Sequence, residues 1–115
     1  MRERDIERAF VKAVEEAGGA AYKFNSASVN GMPDRLVLFP PGKAAFVEMK
    51  APGGKMRPLQ LKRATQLRAL GFPVLLVDRL ERIEPAISMI LDWKPGEAFH
   101  GKNERNETNC QKYSI

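Results

Sequence analysis

Apolar positions recur at two different periods along the chain, and the two periods separate helices from strands. From Arg4 to Ala17 the apolar residues stand three or four positions apart with charges between them, which is the period of an amphipathic helix. Gly18 and Gly19 follow, and glycine commonly ends a helix because it accepts the left-handed backbone conformation. The pattern therefore predicts a first helix over residues 4–17 and then a short strand over residues 20–24.

Two apolar runs after the next polar loop predict a hairpin. Residues 35–39 and 44–50 are separated by a segment that contains Pro40, Pro41 and Gly42, which are turn-forming residues, so we expect the two strands to pair antiparallel. If the turn is centred on Pro41, residues whose numbers add to 82 or 83 face each other. Asp34 then lies opposite Glu48, to within one residue of register.

The remaining pattern predicts a helix over residues 58–70, a strand over 72–77 and a last helix over 83–93. Pro58 suits the first turn of a helix because its missing N–H would be unpaired there. The order is helix, strand, strand, strand, helix, strand and a C-terminal helix, typical of a mixed α/β fold. Residues 95–115 are polar and lack periodicity. We expect one domain over 1–94 and a tail of low order over 95–115.

Composition narrows the class of protein. The 115 residues are 43% hydrophobic, enough for the core of one domain. The single cysteine, Cys110, excludes an internal disulfide and a zinc site of paired thiolates. No apolar stretch approaches the roughly 20 residues that cross a bilayer, and the charged start is unlike a secretory signal. We therefore expect an intracellular protein without a membrane partner, and the net charge of +5 favours a polyanionic one.

Two charged residues stand where a strand should be apolar. Side chains alternate along a strand, so Glu48 and Lys50 share one face. With Asp34 about 5 Å away on the facing strand, two carboxylates would repel unless a cation lay between them. A divalent metal such as Mg²⁺ would resolve the conflict, and Lys50 could polarise a water or stabilise phosphoryl charge. The alternative is a surface Glu–Lys pair, with Asp34 completing a turn after Pro33.

Three further residues could belong to the same site. Gln60 shares a helical stripe with Ala64 and Leu67, which places a polar side chain on the inward face. It could equally be a boundary glutamine that bonds to nearby backbone. Glu3 and Glu7 lie one turn apart on the first helix, and either could supply a third acidic ligand. The alternative for both is a solvated acidic turn that suits the helix dipole.

Basic residues are concentrated beside the candidate site. Within nineteen positions of the sequence stand Lys50, Lys55, Arg57, Lys62, Arg63 and Arg68. Together with Arg35, they could form a phosphate-binding rim for DNA, and about five such contacts would give log K a slope near −4 to −5 against log salt. The alternative is a solvated helix face. No helix-turn-helix or zinc-finger pattern is present, which favours recognition of DNA shape over sequence.

Several of these residues fall in a known signature. Gly31-Met32-Pro33-Asp34-Arg35, followed by Phe46-Val47-Glu48-Met49-Lys50, resembles the PD-(D/E)XK nuclease signature. Within that group the sequence most resembles the virus-type replication-repair nuclease (VRR-NUC) domain, because the match continues through residues 51–60 and 70–74. It covers residues 3–92, and it implies a restriction-endonuclease-like core.

The resemblance also implies roles for individual residues. Asp34, Glu48 and the carbonyl of Met49 would be metal ligands, and a glutamate of the first helix would join them, either Glu7 or Glu3. Lys50 would be the catalytic lysine and Gln60 an active-site helper. The cofactor would be Mg²⁺ or Mn²⁺.

The resemblance extends to partners and setting. Stand-alone members look like homodimers that cut branched DNA such as four-way (Holliday) junctions, encoded by a phage or prophage and acting in the cytoplasm of a bacterial host cell. A two-fold pair fits that substrate, because resolving a junction needs two nicks.

Other interpretations remain open on the sequence. The same chemistry could act on flap, nicked or sequence-specific DNA. A catalytically silent DNA-binding module would keep the fold without cutting. A basic structural or assembly protein would explain the charge but not the combination of Asp34, Glu48, Lys50 and Gln60.

Overall fold

The computed structural model describes residues 1–96, which form one mixed sheet with helices on both of its faces. The helices are α1 (Glu3–Glu16), α2 (Pro58–Ala69) and α3 (Ile83–Asp92), with a short 3-10 helix at Leu80–Arg82. The strands are β1 (Ala20–Lys23), β2 (Arg35–Phe39), β3 (Lys43–Met49) and β4 (Val74–Val77). The predicted order of helices and strands is confirmed, with ends that differ by one or two residues.

The four strands lie in the order β1-β2-β3-β4. The first three are antiparallel neighbours, and β4 runs parallel to β3. Helix α2 makes the crossover between β3 and β4, as a parallel connection requires. The hairpin pairs Arg35 with Val47 and Val37 with Ala45, residues whose numbers add to 82, so the predicted register is confirmed.

The sheet separates two apolar clusters. Helices α1 and α3 cover one face, where Ile6, Phe10 and Ile90 pack on the inward residues of all four strands. Helix α2 covers part of the other face, where Ala64 and Leu67 pack on Val74 and Phe46. The rings of Phe24 and Phe72 meet Phe46 edge to face, with centroids 5.7 and 6.0 Å away. Because side chains alternate, Asp34, Glu48 and Lys50 belong to the α2 face and Arg35 belongs to the α1 face.

Strand β4 begins later than its apolar pattern predicts. The carbonyl of Pro73 accepts a hydrogen bond from the amide of Phe46 at 2.9 Å. Pro73 itself has no N–H to offer the sheet, so regular pairing starts only at Val74.

Most of the predicted polar tail, residues 97–115, lies outside the described residues. The predicted domain boundary at residue 94 stays a prediction. Within residues 1–96 no helix combines the length and the apolar character that crossing a membrane would require.

Candidate active site

Asp34 stands at the mouth of the hairpin, immediately before β2. Its Oδ2 accepts a hydrogen bond from the amide of Met49 at 2.9 Å, and its backbone carbonyl accepts one from the amide of Phe24 at 2.8 Å. These two bonds tie Asp34 to β3 on one side and to the end of β1 on the other. The sheet itself sets this position, so the carboxylate is held beside Met49, the last residue of β3.

The loop before Asp34 is packed against the start of α2. Gly31 has a φ of 85°, and a Cβ added there would lie 2.8 Å from the carbonyl oxygen of Leu59. Only glycine combines that backbone conformation with so close an approach. Pro33 is fully buried next to Asp34. The Gly31-Met32-Pro33 segment therefore fixes Asp34 relative to the helix that carries Gln60.

Glu48 is a buried carboxylate on a strand, with a relative exposure of 2%. Its Oε2 accepts a hydrogen bond from Nε2 of Gln60 at 2.9 Å and lies 3.3 Å from Nζ of Lys50. Its Oε1 is also buried, and within residues 1–96 it has no hydrogen-bond partner. A buried acceptor without a donor costs free energy, and for a charged group the cost is large. One oxygen of Glu48 is thus left for something that supplies positive charge or a proton.

The environment changes the acidity of Glu48. Burial, followed by the negative charge of Asp34, raises the pKa of Glu48 from 4.5 to about 7, although Lys50 and the backbone amide of Asp34 act in the opposite direction. Two carboxylates that share a site favour keeping a proton on one of them. The repulsion expected from the sequence between Asp34 and Glu48 is therefore present in the structure.

Gln60 links α2 to the sheet through both ends of its amide. Its Oε1 accepts a hydrogen bond from the amide of Arg57 at 2.8 Å, which caps the start of the helix. Its Nε2 then has to face Glu48, so the cap fixes the orientation of the amide. Gln60 is 6% exposed. Gln60 thus bonds to nearby backbone and also contacts Glu48, and its role in the site stays a prediction.

The two glutamates of α1 have different surroundings. Oε2 of Glu7 lies 2.8 Å from Nε of Arg35, whose Nη1 also donates to the carbonyl of Ala21 at 3.1 Å. Glu3 is exposed, and partial burial together with the negative charge of Asp34 raises its pKa. Glu3 therefore interacts electrostatically with Asp34 in the candidate site, whereas Glu7 is ion-paired with Arg35 on the α1 face.

The predicted cationic rim is divided by the sheet. Arg35 pairs with Glu7 on the α1 face. On α2, Arg63 donates to the carbonyl of Asn30 at 3.0 Å, and Arg68 donates to the carbonyl of Val74 at 2.9 Å. Three predicted DNA-binding side chains are exposed to solvent, namely Lys55, Arg57 and Lys62. All six contacts with DNA stay predictions, but Arg35 does not share a surface with the α2 cations.

The acidic side chains of the site offer oxygen ligands for a divalent ion. Among residues 1–96, no group of three or more His, Cys, Asp or Glu side chains is gathered closely enough to hold a metal. Two carboxylates meet instead, and the buried Oε1 of Glu48 lacks a partner. Oxygen ligands from one or two carboxylates, with other positions left to water and phosphate, are what Mg²⁺ prefers. Asp34 and Glu48 therefore fit a hard divalent cation, with Lys50 and Gln60 around them.

Comparison with known proteins shows the family of the chain. The chain is 48% identical over 90 residues to a protein named Putative nuclease p44 from Acyrthosiphon pisum secondary endosymbiont phage 1, an alignment that covers 76% of this chain and 97% of the relative. A solved structure of a VRR_NUC domain matches with a TM-score of 0.70 and 29% sequence identity, over 75% of this chain and 94% of that one. The chain belongs to the VRR-NUC family. Family models as such give no match.

Two features of this VRR-NUC domain were not found from the sequence. The ion pair of Glu7 and Arg35 joins residues 28 positions apart, and only their shared face of the sheet could have suggested it. The second is a row of cations on α1, formed by Arg4, Arg8 and Lys12, which line one groove with Arg35. Their spacing of four residues could have predicted this row from the sequence, since residues at i, i+4 and i+8 share a helix face.

Proposed function

We propose that this VRR-NUC domain is a metal-dependent DNA endonuclease that hydrolyses phosphodiester bonds. The observation that carries the proposal is the buried carboxylate of Glu48, which faces Asp34 and keeps one oxygen without a partner. A protein that used these residues only for stability would gain by replacing them with apolar side chains. A cation bound between the carboxylates of Asp34 and Glu48 would offset the cost of placing these charges side by side.

Under this proposal, Asp34, Glu48 and the carbonyl of Met49 hold Mg²⁺ or Mn²⁺. Glu3 is the first-helix acid rather than Glu7, because Glu3 is coupled to Asp34 while Glu7 is paired with Arg35. When bound, the ion supplies positive charge where negative charge develops on the phosphoryl group and assists formation of the attacking hydroxide.

The side chains around the ligands have separate tasks. The ammonium group of Lys50 lies beside Glu48, where it can orient the attacking water and stabilise negative charge on the phosphoryl oxygens. Gln60 does not react. It holds Glu48 in place through Nε2 while its own orientation is fixed by the helix cap. The exposed cations Lys55, Arg57 and Lys62 contact the DNA backbone. Further contacts come from three arginines that also bind groups of the protein, namely Arg35, Arg63 and Arg68.

The substrate is branched DNA, with four-way junctions as the leading case, and the active form is a homodimer. The support is the family resemblance of the motif and the requirement for two nicks per junction, which a two-fold pair meets most simply. The relative from a phage supports a phage or prophage origin and action in the cytoplasm of a bacterial cell.

The test is a cleavage assay on end-labelled linear duplex, flap and four-way-junction DNA, each with Mg²⁺ and with EDTA. The wild-type protein is expected to cut in Mg²⁺ only and to prefer the junction. Asp34→Asn and Lys50→Ala are expected to lose more than a hundredfold in rate while keeping DNA binding. A preference for flaps or nicked duplex would show that the substrate is that DNA structure and not the four-way junction. Binding with no metal-dependent cutting, or cutting that survives both substitutions, would overturn the proposal.

A further inference from the structure

A groove with a volume of about 410 Å³ runs along the outer side of α1. It is lined by residues of the helix and by Arg35 at the start of β2; the helix contributes Arg4, Glu7, Arg8, Val11, Lys12 and Glu15. We call it the α1 groove. In the groove the cations outnumber the acids, whereas the other charged residues of α1, namely Glu3, Asp5 and Glu16, are all acidic.

The cations of the α1 groove are available for a ligand. Within residues 1–96, Arg4, Arg8 and Lys12 are exposed, and they make no hydrogen bond and no ion pair within 4 Å. Glu7 is neutralised by Arg35, so Glu15 is the remaining acid among the residues that line the groove. Asp5, outside the lining, also attracts Arg4 and Arg8. The contrast with α2 is clear, because Arg63 and Arg68 there donate to backbone carbonyls.

The spacing of these cations matches an extended anion better than a small one. A helix rises about 1.5 Å per residue, so side chains four positions apart follow each other at about 6 Å, and the row of three extends over about 12 Å. One phosphate ion could occupy only part of such a row. A polymer with phosphates at regular intervals could contact all three cations in succession.

The groove begins beside the candidate active site. Glu3, one residue before Arg4, is electrostatically coupled to Asp34. Arg35 follows Asp34 directly and forms part of the groove wall. From there the row of cations leads away along the face of the sheet opposite α2. A DNA strand that enters the site from the α2 side would meet the α1 groove on leaving it.

We propose that the α1 groove binds the phosphate backbone of the DNA next to the segment held in the active site. The inference rests on the proposed function for the identity of the polyanion. It adds a second contact surface on the opposite face of the sheet from α2, so that the substrate is held on both sides of the scissile phosphate.

The test measures DNA binding without requiring cleavage. Fluorescence anisotropy with a labelled four-way junction, in EDTA and over a range of NaCl concentrations, gives the slope of log K against log salt. The double variant Arg8→Gln/Lys12→Gln is expected to flatten the slope by about 2 and to weaken binding at least tenfold at fixed salt. The control is Lys43→Gln/Lys94→Gln, which removes the same charge from two residues outside the α1 groove, one of which, Lys43, donates to the carbonyl of Leu91. It should change both quantities much less.

A single pair of variants tests the same surface in the opposite direction. Glu15 lines the α1 groove, whereas its neighbour Glu16 lines a different depression, beside Glu84 and Ile87. Both are exposed, so neither substitution should disturb folding. Glu15→Gln is expected to tighten DNA binding two- to threefold, and Glu16→Gln to change it by less than that.

The outcomes separate this inference from the proposed function. If the wild-type protein binds DNA and the groove variants behave like their controls, the α1 groove is not a DNA contact, and the nuclease proposal is untouched. If the groove variants lose binding but the wild-type protein cuts no DNA in Mg²⁺, the groove is supported and the nuclease proposal fails. No binding by the wild-type protein would overturn both.

Discussion

The side-chain amide of Gln60 donates a hydrogen bond to the buried carboxylate of Glu48 at 2.9 Å. The same amide accepts a bond from Arg57 at the start of α2. The first turn of a helix is thus joined to the end of a strand through one side chain. Glu48 is held at a position that a carboxylate would not occupy for the sake of stability alone.

Removing this link should impair the site more than the fold. Gln60→Ala is expected to lower the cleavage rate about 10- to 100-fold, the usual cost of losing a group that orients a metal ligand, and to cost about 1–2 kcal/mol of stability. The measurement is the cleavage rate as a function of Mg²⁺ concentration. Thr65→Ala, in the same helix but exposed and with its hydroxyl bonded to the carbonyl of Leu61 one turn earlier, is the control. Equal rates for both variants would show that Gln60 does not position Glu48.

The pKa of Glu48 makes the stability of the metal-free protein depend on pH. The folded protein raises this pKa from 4.5 to about 7, so it binds the proton more tightly than the unfolded chain does. The resulting stabilisation is complete below pH 4.5 and is lost as the pH rises through 7, by about 2–3 kcal/mol. Urea unfolding in EDTA between pH 5 and pH 8 measures it.

Glu48→Gln is the control for that pH dependence, because glutamine does not titrate. This variant should be more stable than the wild type at pH 8 in EDTA and similar at pH 5. Addition of Mg²⁺ should reduce the difference at pH 8, since a cation relieves the repulsion in the wild type. A wild-type protein whose stability is flat over this range would contradict the assigned environment of Glu48.

The two glutamates of α1 should behave differently. Glu3→Gln is expected to raise the Mg²⁺ concentration needed for half-maximal cleavage about tenfold, because it removes a carboxylate that is coupled to Asp34. Glu7→Gln should leave that concentration within about twofold and act through Arg35 instead. Titration of Mg²⁺ in the cleavage assay distinguishes them, and the reverse order would assign the metal-ligand role to Glu7.

The approach of Gly31 to Leu59 should be sensitive to a single methyl group. Gly31→Ala combines an unfavourable φ of 85° with a contact of 2.8 Å to the carbonyl oxygen of Leu59. Gly53 has a similar φ of 81° with nothing within 4 Å of an added Cβ, so Gly53→Ala isolates the conformational cost of about 1–2 kcal/mol. Gly31→Ala should cost more and should also slow cleavage, because it displaces Asp34. Equal unfolding free energies would contradict this account.

Local sequence patterns predicted how Asp34, Glu48 and Gln60 come together, but they did not predict the partners of the charged residues around them. Alternation and the hairpin turn fixed the register that brings Asp34 opposite Glu48, and the helical stripe placed Gln60 inward. The partner of Glu7 depends on how α1 crosses the sheet, which no local pattern determines. The bonds of Arg63 and Arg68 to backbone carbonyls are also tertiary. A run of cations along the sequence therefore did not become one surface.

The central claim is that Asp34 and Glu48 form a divalent cation site, and Mn²⁺ binding measured by titration calorimetry tests it most directly. At pH 7 the wild-type protein should bind Mn²⁺ and release a fraction of a proton, detected as a dependence of the heat on the buffer, because the pKa of Glu48 lies near 7. Asp34→Asn should abolish binding, and Glu7→Gln should retain it. Absence of binding by the wild type, or binding that Asp34→Asn leaves unchanged, would contradict the claim.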